Sequence, residues 1–211
     1  MRVIDLSHEI YHEMKVFPAD PPVGILTHHN YGNIGYHVSQ VIIGTHSGTH
    51  VDVPLHRFPG GTPVDKAGIE KFFGNALIID LTFLKRNEEI TIQHLEEHQR
   101  DIEQSDIILF KTNWSKYFGT EEFFTDFNGI SEDAAVWITS RKIKMIGLES
   151  PSVHPIKHQL IHDCFLKKEI IVLESLNNLN EIKGKYVQLF AVPLKLKDLD
   201  GSPVRAFAIE G

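Results

Sequence analysis

The chain has 211 residues, of which 42% are hydrophobic and 23% are charged, proportions that are typical of a folded globular protein and exclude a disordered one. Its net charge is −7, so it lacks the basic surface expected of a nucleic-acid binder or a membrane-surface protein. The sequence contains neither a signal-peptide pattern nor an apolar run approaching the roughly 18 residues of a membrane span. We therefore expect one soluble, cytoplasmic domain over residues 1–211, with no nucleic-acid and no membrane partner.

Short runs rich in β-branched and apolar residues alternate with helical patterns along the chain. Strands are predicted, in chain order, at residues 38–43, 76–83, 106–112, 144–148, 170–173, 186–193 and 205–209. The pair Asp200-Gly201 predicts a hairpin turn between the last two strands. Helices are predicted at residues 65–73, 91–103, 131–142 and 156–168, with Thr91 and Ser131 as N-caps of the second and third. The alternation of strands and helices predicts an α/β fold.

Residues 46–56 are unusually rich in histidine and read His-Ser-Gly-Thr-His-Val-Asp-Val-Pro-Leu-His. Imidazole and carboxylate are the usual ligands of zinc and related divalent ions. Because side chains two apart in an extended chain point to one face, His46, His50 and Asp52 can face the same ion. His56 follows a proline, so it could stand beside the ion as an acid–base group. The alternative, surface histidines in a polar loop, accounts less well for this shared spacing.

Ligands from elsewhere in the chain should complete such a site, because a catalytic metal site made only of neighbouring residues would be unusual. Glu149 and Glu174 each follow an apolar strand, where an unpaired buried charge would be costly. His154, His158 and His162 are spaced by four, so those within a helix share one face. The spacing alone leaves the choice among these residues open, and a solvated helix face is the default for two of the three histidines.

Residues 46–56 also carry the full signature H-x-G-T-H-x-D-x-P-x-H, and the chain therefore resembles the metal-dependent cyclase family, which includes bacterial kynurenine formamidases (arylformamidases) and isatin hydrolases. The similarity extends over nearly the whole chain, through blocks at residues 3–7, 17–20, 111–114, 130–135 and 146–152. His162, twelve positions before Glu174, resembles the last conserved block of that family.

The resemblance implies a swivelling β/β/α fold with a β-rich core and helices packed around it, assembled as a homodimer or homotetramer. The residues that it assigns to one or two divalent ions, usually Zn²⁺ and alternatively Mn²⁺, are His46, His50, Asp52, His162 and Glu174. It assigns His56 as the catalytic acid–base residue. Phe17 stands where formamidases commonly carry a tryptophan, so the resemblance places a smaller aromatic ring against the substrate.

The activity that the resemblance implies is hydrolysis of a carbon–nitrogen amide bond by metal-activated water, with N-formylkynurenine as the expected small-molecule substrate and kynurenine and formate as products. Two alternatives remain: opening of a cyclic amide or lactone such as isatin, and a metal-stabilised binding protein without turnover. A nucleophilic mechanism is disfavoured, since no G-x-S-x-G motif occurs and Cys164 lies in a helical pattern beside Phe165.

Overall fold

The computed structural model describes residues 1–211 and contains a nine-stranded sheet and a separate two-stranded sheet. The strands are β1 (Arg2–Asp5), β2 (Gly24–His29), β3 (Val38–Ile42), β4 (His50–Asp52), β5 (Phe73–Asp80), β6 (Ile107–Lys111), β7 (Met145–Leu148), β8 (Ile171–Glu174), β9 (Tyr186–Phe190), β10 (Gly201–Pro203) and β11 (Phe207–Glu210). The helices are α1 (Tyr31–Ile34), α2 (Ile92–Glu96), α3 (Gln99–Ile102), α4 (Glu132–Thr139) and α5 (His158–Leu166). None of them is long and apolar enough to cross a membrane.

The large sheet has the strand order β1-β11-β9-β5-β6-β7-β8-β4-β10. Its centre, from β5 to β8, is parallel, and every other neighbouring pair in it is antiparallel. The parallel strands are joined by crossovers that carry the helices, as parallel pairing requires. The two remaining strands, β2 and β3, form an antiparallel hairpin outside this sheet.

Apolar side chains cover both faces of the central strands. Along β5, Ala76 and Ile78 belong to one buried cluster, whereas Leu77 and Ile79 belong to another. Successive side chains of a strand point to opposite faces, so these two clusters are the two layers of the core. Helices α2 to α5 lie on the second face, where α4 and α5 pack against each other. The mixed α/β architecture predicted from the sequence is confirmed.

Each predicted strand overlaps an observed one, and the last two predicted helices are present in shortened form. The Ser131 hydroxyl accepts a hydrogen bond from the Ala134 amide, so Ser131 is the N-cap of α4. The pattern over residues 91–103 forms two short helices, α2 and α3, instead of one, and Thr91 is the N-cap of α2.

The helix predicted over residues 65–73 is wrong. The segment contains only a 3₁₀ turn at Ile69–Phe72, and Phe73 begins β5. Ile69 is 63% exposed while Phe72 is buried, so the apolar residues do not form the single buried stripe that a surface helix needs.

The hairpin turn predicted at Asp200-Gly201 is also wrong, because Gly201 begins β10 and pairs with Asp52 of β4. A Cβ atom on Gly201 would lie 2.6 Å from the Val51 carbonyl oxygen. Glycine is therefore needed at position 201 because β4 and β10 approach each other closely there, and not because the chain turns.

Candidate metal centre

Strand β4 places the histidine-rich segment inside the large sheet, between β8 and β10. His50 and Asp52 lie two residues apart on this strand, so their side chains point to the same face. In the register with β8, His50 stands opposite Glu174. All three of these side chains are at least 95% buried, with exposures of 3%, 1% and 3%. The strand pairing therefore assembles two carboxylates and an imidazole away from solvent.

The predicted ligands converge on Asp52. His46 Nδ1 lies 2.7 Å from Asp52 Oδ1, and His50 Nε2 lies 3.4 Å from the same oxygen. From α5, His162 Nε2 lies 3.1 Å from Asp52 Oδ2 and 3.1 Å from Glu174 Oε1. His50 Nε2 is also 3.4 Å from Glu174 Oε2. The structure thus brings all five residues together, and their role as ligands stays a prediction.

The second nitrogen of each histidine in this cluster meets a hydrogen-bond acceptor. His50 Nδ1 donates to the Gly48 carbonyl and His162 Nδ1 donates to the His158 carbonyl, each at 2.8 Å. A carbonyl oxygen only accepts, so a neutral imidazole then turns the lone pair of Nε2 toward the carboxylates. A nitrogen lone pair that faces a carboxylate oxygen at 3.1–3.4 Å requires a cation or an added proton between the two atoms. The donor set therefore fits a divalent ion.

The buried carboxylates also raise the pKa values of the neighbouring histidines His46 and His162. Although burial lowers the pKa of His46, the attraction of Asp52 and hydrogen bonds with Asp200 and Asp52 raise it to about 11. Burial lowers the pKa of His162 too, but hydrogen bonds with Asp52 and Glu174 raise it to about 10. Burial alone would raise the pKa of Asp52, and the neighbouring histidines hold it well below its usual value. The buried carboxylates therefore favour positive charge beside them, carried by protonated histidines or by a bound cation.

Two groups of side chains that share Asp52 could each hold an ion, since the candidate ligand atoms within each group lie within 4.8 Å of one another. One group is His46, Asp52 and His56, and the other is His50, Asp52 and Glu174. Both groups offer nitrogen and carboxylate oxygen, which suits zinc or manganese. The arrangement could hold one ion or two, and Asp52 is available to both groups.

His56 follows β4 in the short turn Pro54–His56 and stands at the rim of the cluster. Its ring centroid is 4.2 Å from that of His46, and its side chain is 29% exposed. His56 Nδ1 lies 3.5 Å from Asp200 Oδ2. It is therefore close to the predicted ligands and accessible from solvent, where it could exchange protons with a bound substrate or water.

An open cavity of about 270 Å³ lies over the cluster. Its other lining residues, outside the cluster and His56, are Phe17, Pro18, Asp20, Arg57, Pro151, Ser152, His158 and Gln159. The Phe17 ring stands edge-on to His158, with centroids 6.0 Å apart, and is the only aromatic hydrocarbon surface in the lining. The cavity thus offers one aromatic face and several polar groups to a small molecule.

The other predicted candidates lie elsewhere. Glu149 accepts hydrogen bonds from the Thr112 amide at 2.6 Å and the Ser115 hydroxyl at 3.1 Å, so it holds the loop after β6. Burial raises the pKa of Glu149. His154 Nε2 pairs with Glu89 Oε1 at 2.9 Å and contacts no predicted ligand.

His158 lines the cavity and uses its carbonyl oxygen to orient His162, but its ring does not join the cluster. Cys164 lies partly buried against the apolar layer beneath α5, and burial raises the pKa of its thiol. Among the three histidines spaced by four, the structure therefore places His162 in the cluster, as the family resemblance implied.

Two acidic residues at the site were not assigned a role from the sequence. Asp20 lines the cavity, and burial raises the pKa of its carboxyl group. Asp200 accepts a hydrogen bond from His46 Nε2 at 2.7 Å. Nothing in the local pattern around Asp200 indicates a site, because it arrives there through the pairing of β10 with β4.

A mixed sheet that carries a buried His/Asp/Glu cluster beneath an open cavity has the architecture of a candidate metal-dependent active site. Comparison with known proteins gives the family of this chain. The model of the Cyclase family, described as "Putative cyclase", matches residues 4–155, and the chain belongs to this family.

Similar proteins agree with this assignment. The kynurenine formamidase of Bacillus mycoides (strain KBAB4) is 31% identical over 208 residues, which cover 96% of this chain and 95% of that enzyme. A solved structure described as a potential metal-dependent hydrolase with cyclase activity superposes with a TM-score of 0.83, at 26% identity, covering 100% of this chain and 99% of the other. An isatin hydrolase bound to thioisatinate has a TM-score of 0.88 at 22% identity, covering 98% and 91%, and shares the fold.

Proposed function

We propose that this protein is a metal-dependent hydrolase that cleaves a carbon–nitrogen amide bond, of arylformamidase type, converting N-formylkynurenine to kynurenine and formate. The observation that carries the proposal is the convergence of His50, Asp52, His162 and Glu174 below an open cavity. The likeness to a kynurenine formamidase over 96% of the chain supports the choice of substrate.

The cluster would hold one or two divalent ions, with zinc the expected metal and manganese the alternative. Such an ion supplies a Lewis acid that activates water and polarises an acyl carbonyl. Among the residues of the chain, Asp52 and Glu174 would offset the positive charge of the ion. The carbonyl oxygens of Gly48 and His158 fix the tautomers of His50 and His162, respectively.

His56 is the residue that would move protons. It lies beside the cluster at the cavity, where it can take a proton from the attacking water and give one to the departing nitrogen. The water oxygen forms the new bond to the acyl carbon as the carbon–nitrogen bond breaks, and the amine leaves neutral. General acid–base catalysis of this kind contributes roughly 10²–10⁴-fold to the rate.

Phe17 would contact the aromatic part of the substrate, since its ring is the aromatic hydrocarbon surface of the cavity lining. Arg57 also lines the cavity, but its guanidinium pairs with Asp163 at 2.7 Å. A substrate carboxylate would compete with Asp163 for Arg57, so binding it there would require Arg57 to exchange its partner.

A related hydrolase that opens a cyclic amide or lactone is the second candidate, because it would use the same cluster and the same His56. An isatin hydrolase shares the fold, although at 22% identity this likeness concerns architecture alone. A metal-stabilised binding protein is less consistent with the site, since His56 lies beyond the most buried ligands and faces the cavity.

Release of formate from N-formylkynurenine by the metal-loaded protein tests the proposal. A chelator-treated sample is the control, and isatin and simple lactones are assayed alongside. We expect formate release that chelation abolishes. Opening of isatin without formate release would favour the second candidate, and no hydrolysis of any substrate would overturn the enzymatic proposal.

Assembly as a homodimer or homotetramer is also proposed. The β2–β3 hairpin supports it, because a two-stranded sheet is marginal in water on its own and this one exposes Leu26, Val41 and Ile42 by about half or more. Sedimentation at several protein concentrations would measure the assembly, and a monomer at every concentration would contradict it. The cytoplasmic location stays a prediction from the sequence.

A further inference from the structure

Asp200 contacts two histidines that the proposed function assigns to different tasks. Its Oδ2 atom lies 2.7 Å from Nε2 of His46, a predicted ligand, and 3.5 Å from Nδ1 of His56, the predicted acid–base residue. The other oxygen, Oδ1, accepts a hydrogen bond from the Thr45 hydroxyl at 3.0 Å. The Thr45 hydroxyl therefore holds Oδ1 of the carboxylate, while Oδ2 faces both imidazoles.

The backbone fixes this position. Gly201 pairs with Asp52, so Asp200 stands immediately before the β4–β10 ladder. Its own carbonyl oxygen accepts a hydrogen bond from the Val53 amide at 3.2 Å. Because Gly201 has no Cβ atom, the strand approaches His46 closely enough for the preceding side chain to reach the site.

A carboxylate that accepts from one nitrogen of an imidazole decides which nitrogen carries the proton. With its Nε2 proton directed to Asp200, His46 presents the lone pair of Nδ1 toward Asp52 and the predicted ion. The same logic applies to His56, whose Nε2 would then face the cavity to exchange protons. The 3.5 Å separation is long for a hydrogen bond, and such contacts commonly tighten when substrate binds.

We propose that Asp200 is a positioning residue that orients both His46 for metal binding and His56 for proton transfer. The role of Asp200 toward His56 rests on the proposed function, whereas its role toward His46 concerns metal affinity alone. Asp200, which is distant in sequence from the histidine-rich segment, would thus orient both the metal-binding His46 and the proton-transferring His56.

The test compares Asp200→Ala, which removes the carboxylate, with Asp200→Asn, which keeps one acceptor oxygen. Asp198→Asn, an acidic-to-amide change two residues away on the exposed loop, is the matched control. Zinc affinity is measured by competition with a chromophoric chelator, with no substrate present. The kcat and KM for amide hydrolysis are measured at saturating zinc, and unfolding of the metal-free proteins is measured by circular dichroism.

We expect Asp200→Ala to weaken zinc binding by about 10–100-fold and to lower kcat by a similar factor with little change in KM. Asp200→Asn should lie between the wild type and the alanine variant, and the control should match the wild type. Combining Asp200→Ala with His56→Ala should lower kcat hardly further than His56→Ala alone, because Asp200 acts on proton transfer through His56.

Unchanged zinc affinity in Asp200→Ala would overturn the His46 half, and an unchanged kcat at saturating zinc would overturn the His56 half. A lower melting temperature of the metal-free variant with wild-type affinity and kcat would show a purely structural role and overturn both. If the wild type hydrolyses no substrate, the proposed function fails, while the zinc competition still decides the role toward His46.

Discussion

His162 and Asp52 are 110 residues apart in the chain, yet His162 Nε2 lies 3.1 Å from Asp52 Oδ2. The contact joins helix α5 to strand β4, and Glu174 at the end of β8 completes it from the neighbouring strand. A geometry that holds an imidazole nitrogen against two buried carboxylates needs positive charge between them. The site therefore depends on groups that only the folded chain brings together.

Asp52 is the residue whose loss should be most damaging, because it belongs to both groups of ligand atoms. We expect Asp52→Ala to lose both the bound metal and turnover. Metal content after dialysis, measured by plasma emission spectroscopy, checks the first effect. Asp198→Asn serves as the control, and retention of stoichiometric metal by Asp52→Ala would contradict the shared role.

His56 should separate metal binding from catalysis. We expect His56→Ala to retain its metal while kcat falls by roughly 10²–10⁴-fold, which is the contribution of a positioned acid–base group. Metal content and steady-state kinetics on the same preparation give both quantities. A variant with wild-type kcat would show that another group transfers the proton.

The buried imidazole of His8 should make the free energy of unfolding depend on pH, independently of catalysis. Burial lowers the pKa of His8 to about 4, from about 6.5 in an unfolded chain. Its ring stacks on Phe118 at 3.7 Å, and its Nε2 atom is buried without a partner. Between pH 4 and 6.5 the unfolded chain binds a proton on His8 that the folded protein excludes, so stability falls as the pH falls through this window.

The measurement is the denaturation midpoint against pH in the presence of a chelator. We expect His8→Phe, which keeps an aromatic ring on Phe118, to be less sensitive to pH between 4 and 6.5 than the wild type. His28→Phe, at an exposed position, is the control and should keep the wild-type slope. Identical slopes for His8→Phe and the wild type would contradict the buried neutral state of His8.

Gly201 should tolerate no side chain. A Cβ atom there would lie 2.6 Å from the Val51 carbonyl oxygen and 3.0 Å from His46 Cε1. We expect Gly201→Ala to lower the free energy of unfolding by about 1–3 kcal/mol, the usual cost of overpacking, and to weaken metal binding. Gly24→Ala is the control in another strand, since its Cβ would meet Ile42 at an ordinary 3.7 Å. Equal stability of the two variants in urea titrations would contradict this view of the β4–β10 contact.

The local part of the site could be predicted from the sequence, and the distant part could not. His46, His50 and Asp52 share a spacing that an extended chain translates directly into a common face. His154, His158 and His162 share one spacing as well, so periodicity did not distinguish the cluster member from its neighbours. Only the packing of α5 on β8, or the resemblance to a family, makes that choice.

The errors in the fold have the same origin. Asp200-Gly201 has the composition of a turn, but Gly201 pairs with Asp52 of β4, which lies far earlier in the chain. The contact of His46 with Asp200 likewise spans 154 residues. Strand β2 was not predicted, because its sequence Gly-Ile-Leu-Thr-His-His has only a two-residue apolar run, whereas β3 of the same exposed hairpin has the apolar, β-branched pattern Val-Ser-Gln-Val-Ile. Local patterns record burial and spacing, whereas these features depend on register between distant segments.

Anomalous diffraction at the zinc edge from crystals of the zinc-loaded protein tests the central claim most directly. The account predicts an anomalous peak within ligand distance, about 2.0–2.2 Å, of atoms from both Asp52 and the distant pair His162 and Glu174. A peak bound only by the histidine-rich segment, or one remote from His162 and Glu174, would contradict it.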